Sequence, residues 1–272
     1  MTVAAVKNPT PPKGWMNAIE TPKDVEAPKS VMIYGLPGTR KTTIAATIAQ
    51  VPGIKKVLFI DIDSGTEVLA RKAEFENIDI IRISALASDA EAKMSTIIND
   101  LCASNLGYDA VVLDTLDVAQ DVAEGAGELL YANSGKGGAR DGFAVYRHVG
   151  EWTNKIVRQL HECPFFVAVI TCHSTEKVLE SGATRITPRL SGSSKDTIGG
   201  IPSIVAYLEF RTDPEGNRRL LASVGEQDDM ITKNRFNLGD YVPELTMPEL
   251  YRRIDAANAE PAPLVVTASL AA

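Results

Sequence analysis

The stretch "SVMIYGLPGTRKTTIA", residues 30–45, decides the fold of this chain. A β-branched, apolar run reaches Gly35, a turn containing proline and glycine follows, and a helical pattern opens after Arg40. The phosphate-gripping pattern G-x-x-x-x-G-K-[ST], Walker A, requires that strand–loop–helix setting. Gly35, Lys41 and Thr42 match it, and Gly38 is an additional glycine. Main-chain N–H groups at a helix N-terminus favour an anion, because they have no intrahelical partner and the helix dipole points its positive end there. The expected phosphate-contacting set is therefore Gly35, Gly38, Thr39, Arg40, Lys41, Thr42 and Thr43, with the Lys41 ammonium neutralising the β- and γ-oxygens.

Working outward, "AVVLDT" is an apolar strand that ends in Asp114. A carboxylate at the carboxyl end of such a strand reaches a Mg²⁺ ion held above the loop, where open α/β sheets bind ligands. Thr42 and Asp114 are the expected Mg²⁺ ligands, and ATP the expected nucleotide. Two further strands lie between the motifs, and the first ends in "FIDID", so Asp63 is expected at the same edge, placed to polarise an attacking water. Arg40 stands where the pattern has its second glycine. A left-handed backbone there costs a non-glycine residue about 1–2 kcal/mol. Three outcomes stay open: the loop relaxes and the guanidinium adds a phosphate contact, the site binds ATP weakly, or it is a relic.

Farther along, "KKVLFIDID" (55–63), "NIDIIRIS" (77–84), "YDAVVLDT" (108–115) and "PFFVAVITCH" (164–173) predict strands. Met94, Ile97, Ile98 and Leu101 recur at helical spacing, as do Val145, Val149, Trp152, Ile156 and Leu160 in a long amphipathic helix. From 174 the texture becomes hairpin-like, with strands in "SIVAYLEFRT", "RRLLASVG" and "MITKNRF" and a closing helix around "MPELYRRI". Repeated β-α-β units imply an α/β fold: a mainly parallel sheet flanked by helices, with antiparallel edge strands. The core is expected over residues 30–257. Residues 1–29 hold five of the fifteen prolines without periodicity and read as a tail or strap, and 258–272 as a flexible tail.

Of the 272 residues, 44% are hydrophobic and 23% charged, the balance of a globular chain, and the net charge of −7 argues against a surface coated for nucleic acid, though not against a local basic loop. Three cysteines without a C-x-x-C spacing suggest a reduced, intracellular protein. No apolar run of signal-peptide or membrane-span length is present, so the expected location is the cytoplasm, with no membrane partner. His161, Cys163, Cys172 and His173 match no zinc-ligand spacing, and Cys163 and Cys172 flank a buried strand, so packing explains them better.

On "VMIYGLPGTRKTT", "VLFIDIDSG", "DAVVLDTLD", "FFVAVITCHS" and "ITKNRFN", the chain resembles the RecA-like P-loop ATPases encoded by bacteriophages, in particular the Sak-type single-strand annealing ATPases, from about Lys29 to Ile254. That resemblance implies a RecA-like core in the host cytoplasm. By position Asp63 would be the catalytic base, an aspartate where RecA has glutamate. His173 would sense the γ-phosphate, its alternative role being to cap a strand, and Lys233 and Arg235 would reach a neighbouring subunit's ATP. It further implies two loops that grip single-stranded DNA: 131–143, with Lys136 and Arg140, and 174–200, with Lys177, Arg185, Arg189 and Lys195. The implied partners are single-stranded DNA, further copies of the chain in a ring or filament, and a single-strand DNA-binding protein. A replicative-helicase-like ATPase and a nucleotide-dependent scaffold with silenced hydrolysis are the alternatives.

Overall fold

A computed structural model describes residues 29–178, 182–191 and 194–259. The residues expected to form the N-terminal strap, up to 28, and the tail from 260 onward lie outside that description. Helix α6 includes residues 258 and 259.

The elements run in the order β1 (Ser30–Gly35), α1 (Lys41–Ala46), β2 (Val57–Asp61), β3 (Ile78–Arg82), α2 (Ala90–Ala103), β4 (Ala110–Asp114), α3 (Leu116–Leu130), α4 (Gly142–Glu162), β5 (Val167–Val178), β6 (Thr184–Pro188), α5 (Ser194–Ile198), β7 (Ile204–Thr212), β8 (Arg218–Ser223), β9 (Lys233–Asn234), β10 (Tyr241–Pro243) and α6 (Met247–Ala259). The sheet order is β10-β8-β7-β1-β5-β4-β2-β3. From β7 to β3 all neighbours are parallel. β8 and β10 add an antiparallel edge, β6 pairs with the outer half of β5, and β9 pairs with the start of β7. The fold is thus the expected α/β P-loop architecture.

Strands β1, β2 and β4 are buried on both faces, which is why they read as unbroken apolar runs. Alternate side chains feed two cores. Met32, Tyr34, Leu58, Ile60, Val111 and Leu113 pack under α2, α3 and α4. Val31, Ile33, Val57, Phe59, Ala110 and Val112 pack under α1 and α6. Burying one such side chain contributes about 1.5–3 kcal/mol.

Four local expectations are corrected. β2 stops at Asp61 rather than Asp63, because the Asp61 carboxylate accepts the N–H groups of Gly65 (3.1 Å) and Thr66 (3.3 Å) and the chain turns there. The strand read in "MITKNRF" is two residues long. The DNA-gripping loop that the resemblance places at 174–200 is instead largely the hairpin that the sequence texture predicts from 174 onward, holding the end of β5, all of β6 and the short α5. Helix α3 is an element that the apolar-repeat reading does not single out. Its buried face mixes Leu116 and Val122 with Asp117, Gln120, Ala119, Ala123 and Gly127, and the alanines and the glycine let α4 approach closely. At Gly127 an added Cβ would lie 3.2 Å from the His148 ring.

Candidate nucleotide site

The site forms where β1, β5, β4 and β2 end along one edge of the sheet. β1 delivers Gly35 against β7, and a Cβ there would stand 2.6 Å from the Leu208 carbonyl oxygen, so only glycine fits. Gly38 turns the chain with φ 82°. Arg40 caps α1 in the left-handed region, φ 63° and ψ 23°, the condition under which the sequence reading assigned it a strain cost. Its guanidinium carbon lies 5.6 Å from the centre of the Phe210 ring. The helical run from Lys41 continues through a 3-10 turn to Gln50, and the first N–H groups of such a run have no intrahelical partner.

Lys41 is buried and donates to the carbonyls of Gly35 and Leu36, both at 3.0 Å. Burial lowers its pKa, while the charges of Asp117 and Asp114 work to raise it. Thr42 Oγ1 donates to Asp114 Oδ2 at 2.8 Å, joining the two motifs 72 residues apart. Thr171 on β5 donates to the other oxygen, Asp114 Oδ1. Burial raises the Asp114 pKa against these two hydrogen bonds, and the nearby Asp61 and Asp63 charges add to the rise. A buried carboxylate beside other acids and a threonine hydroxyl is a hard oxygen donor set that suits Mg²⁺. The donor chemistry of Thr42 and Asp114 therefore fits the ion the sequence implied.

The structure adds residues that the sequence reading missed. Gly65 packs directly on this pair: a Cβ there would stand 2.9 Å from Thr42 Oγ1 and 3.0 Å from Asp114 Oδ2. That contact brings the turn after β2, with exposed Asp63, over the same ground. Asp117, in the first turn of α3, is fully buried and accepts the His173 N–H (3.1 Å), shares a 2.9 Å hydrogen bond with His173 Nδ1 and accepts Arg189 Nε at 2.8 Å. Spacing hints at it, since Asp117 follows Asp114 by three residues in "LDTLD", but the partners come from β5 and the segment after β6. Thr171 carried no motif signal.

The remaining candidates fall into separate places. His173 lies at the point where β5 passes Gly35, tied to Asp117. Arg189 is paired with Asp117 and with Asp121 at 3.1 Å, which removes it from the set of free loop cations. Arg140 is paired with Glu128. Lys136 is exposed in the turn between α3 and α4. Lys177 and Arg185 are exposed and sit directly opposite each other on the β5–β6 hairpin. Lys195 is the second residue of α5, and its side chain lies outside the described residues. Lys233 pairs with Val205 near the start of β7, whereas Gly35 pairs with Leu208, so β9 and the following Arg235 stand at the amino end of the parallel strands, away from their own phosphate loop. Lys233 Nζ donates to the Gly200 carbonyl there. Among the described residues no helix is long and apolar enough to cross a membrane.

Comparison with known proteins completes the description. Among solved structures, the assembled ATPase EscN with its central stalk EscO, from the type III secretion system of enteropathogenic E. coli, is 14% identical over 85% of this chain and 51% of that chain, with a TM-score of 0.45. A prototypical ATPase from the type III secretion system of pathogenic bacteria is 14% identical over 66% of this chain and 51% of that one, TM-score 0.42. The chain thus spans about half the length of these two ATPases. The RadB recombinase is 15% identical over 72% of this chain and 80% of its own, TM-score 0.40. No curated protein matches. The sequence profile of a family described as an AAA domain (AAA_24) matches residues 27–236. That match takes in every strand of the parallel sheet and the whole phosphate loop, and the chain belongs to this AAA domain family of P-loop ATPases.

Proposed function

We propose that this protein is a Mg²⁺-dependent ATPase that works as an oligomer on single-stranded DNA, in strand annealing of the Sak type in phage DNA metabolism. The observation that carries the enzymatic part is the Thr42–Asp114 hydrogen bond, which joins the phosphate loop to the metal-binding carboxylate. When bound, Mg²⁺ supplies charge neutralisation for the phosphates, and Thr42 and Asp114 hold it. Lys41 leaves its loop carbonyls for phosphate oxygens. Asp63 orients the attacking water, and His173, steadied by Asp117, reads the terminal phosphate. Lys233 and Arg235, at the far end of their own sheet, complete a neighbour's site. The DNA part is supported by Lys177 and Arg185: like charges directly opposite on a hairpin repel, and a polyanion relieves that repulsion. A single-strand DNA-binding protein is the natural further partner.

ATP turnover measured with and without single-stranded DNA tests this. Wild type is expected to hydrolyse ATP faster with DNA, and Lys41→Ala to lose about 100-fold or more. Equal rates with and without DNA would remove the DNA role, and annealing against unwinding of labelled strands separates this reading from a helicase. The left-handed Arg40 favours one second reading, a nucleotide-dependent scaffold with silenced turnover; hydrolysis by Arg40→Gly but not by wild type would establish it.

A further inference from the structure

Helix α4 carries a face that neither the sheet nor the nucleotide site uses. The core takes Val149, Trp152 and Ile156. Opposite them, Phe143, Arg147, Gly150, Asn154 and Arg158 follow at steps of three or four residues, which sets them in one row along the helix. At 1.5 Å per residue the row is about 22 Å long. Tyr146 stands on one side of it, Glu151, Lys155 and Glu162 on the other, and together they line a shallow cleft of about 910 Å³. Phe143 is 89% exposed and Tyr146 53%, so packing within the chain accounts for little of either ring. Arg147, Lys155 and Arg158 are exposed too, and unlike Arg140 and Arg189 they have no acid within ion-pair distance among the described residues. β5 begins shortly after α4 ends, so α4 runs back over the sheet against the strands. Its Phe143 end therefore lies at the carboxyl end of the strands, from which the β5–β6 hairpin with Lys177 and Arg185 projects.

We propose that this face of α4 is a track for single-stranded DNA. The Phe143 and Tyr146 rings stack on unpaired bases, and Arg147, Lys155 and Arg158 hold the backbone phosphates along the helix. Aromatic rings accept the face of any base, while cations follow a backbone that carries a charge at every nucleotide. Charge decides the occupant: an apolar partner would cover three cations without supplying a counter-charge, whereas a polyanion supplies it, even to a chain whose net charge is −7. A duplex hides its base faces, so the rings select single strands. The inference rests on the DNA reading above and gives it a second surface, different in chemistry from the hairpin, where Lys177 and Arg185 offer charge alone.

Fluorescence anisotropy of a labelled oligothymidylate, read across a salt series, tests it, with thermal melts to confirm folding. Phe143→Ala and Tyr146→Ala are each expected to weaken binding about tenfold with the salt dependence unchanged. Arg147→Ala and Arg158→Ala are expected to weaken it most at low salt, and each to make the slope of log affinity against log salt shallower by about 0.7. The same oligonucleotide annealed to its complement is expected to lose nothing in the two ring variants. Unchanged single-strand affinity in both ring variants, or an equal loss on the duplex, would overturn the track while leaving the DNA reading standing. Loss of self-association in sedimentation, with oligonucleotide affinity kept, would make the face a contact between copies and overturn the track as well. If wild type bound no oligonucleotide even at low salt, the DNA reading itself would fall and take this one with it.

Discussion

At the scale of single residues, Arg40 shows how local geometry and function compete. Its φ of 63° is a backbone state that costs a side-chain-bearing residue about 1–2 kcal/mol. The contact with Phe210 returns about 0.5–1 kcal/mol at an exposed site. The contact offsets about half of that cost, so removing the contact while keeping the strain is the harmful change. Arg40→Ala is expected to be less stable than Arg40→Gly by about 1 kcal/mol in denaturant unfolding; equal stability would show that the loop is not strained there. Lys41, Thr42 and Asp114 were legible in the sequence because short-range spacing fixes them. Gly65 and Thr171 were not, because each gains its meaning from Asp114, 49 and 57 residues distant in the chain, and only the sheet order brings them together.

At the scale of elements, β4, α3 and β5 meet at Asp117. Burial works against its charge, but hydrogen bonds from the His173 side chain and backbone outweigh it and hold the carboxyl well below the usual aspartate range. In the unfolded chain an aspartate titrates near about 3.9. The folded protein keeps Asp117 charged below that pH, so its contribution to stability is complete above it and fades as pH falls toward the folded value. Asp117→Asn is expected to lose about 3 kcal/mol near neutrality, and its deficit against wild type to shrink as pH drops below about 4. Unfolding curves at several pH values measure this; a deficit independent of pH would mean that the carboxylate's charge is not what ties α3 to β5. Strands β1, β2 and β4 were readable because they are buried on both faces and so continuously apolar. Helix α3 was not, since its buried face interleaves Leu116 and Val122 with alanine, glycine and the polar Asp117 and Gln120, which dilute the hydrophobic repeat, and the end of β2 was misplaced because Asp61, not Asp63, turns the chain.

At the scale of the whole molecule, the sheet separates its charges. The phosphate loop, Asp114 and His173 gather at the carboxyl end of the strands, while Lys233 and Arg235 stand at the amino end. A site completed by those two residues requires a second copy. Mixing Lys41→Ala chains with Arg235→Ala chains is therefore expected to restore part of the DNA-stimulated ATPase that neither shows alone; no recovery at any ratio would place both functions within one chain. The central claim is simpler than this assembly: a triphosphate sits on the loop, with a metal linking it to Asp114. Titration of a slowly hydrolysed ATP analogue, with and without Mg²⁺, reads it directly. Wild type is expected to bind at least about tenfold more tightly with Mg²⁺, and Asp114→Asn to lose that gain. No heat from wild type at millimolar analogue with Mg²⁺ would contradict the account.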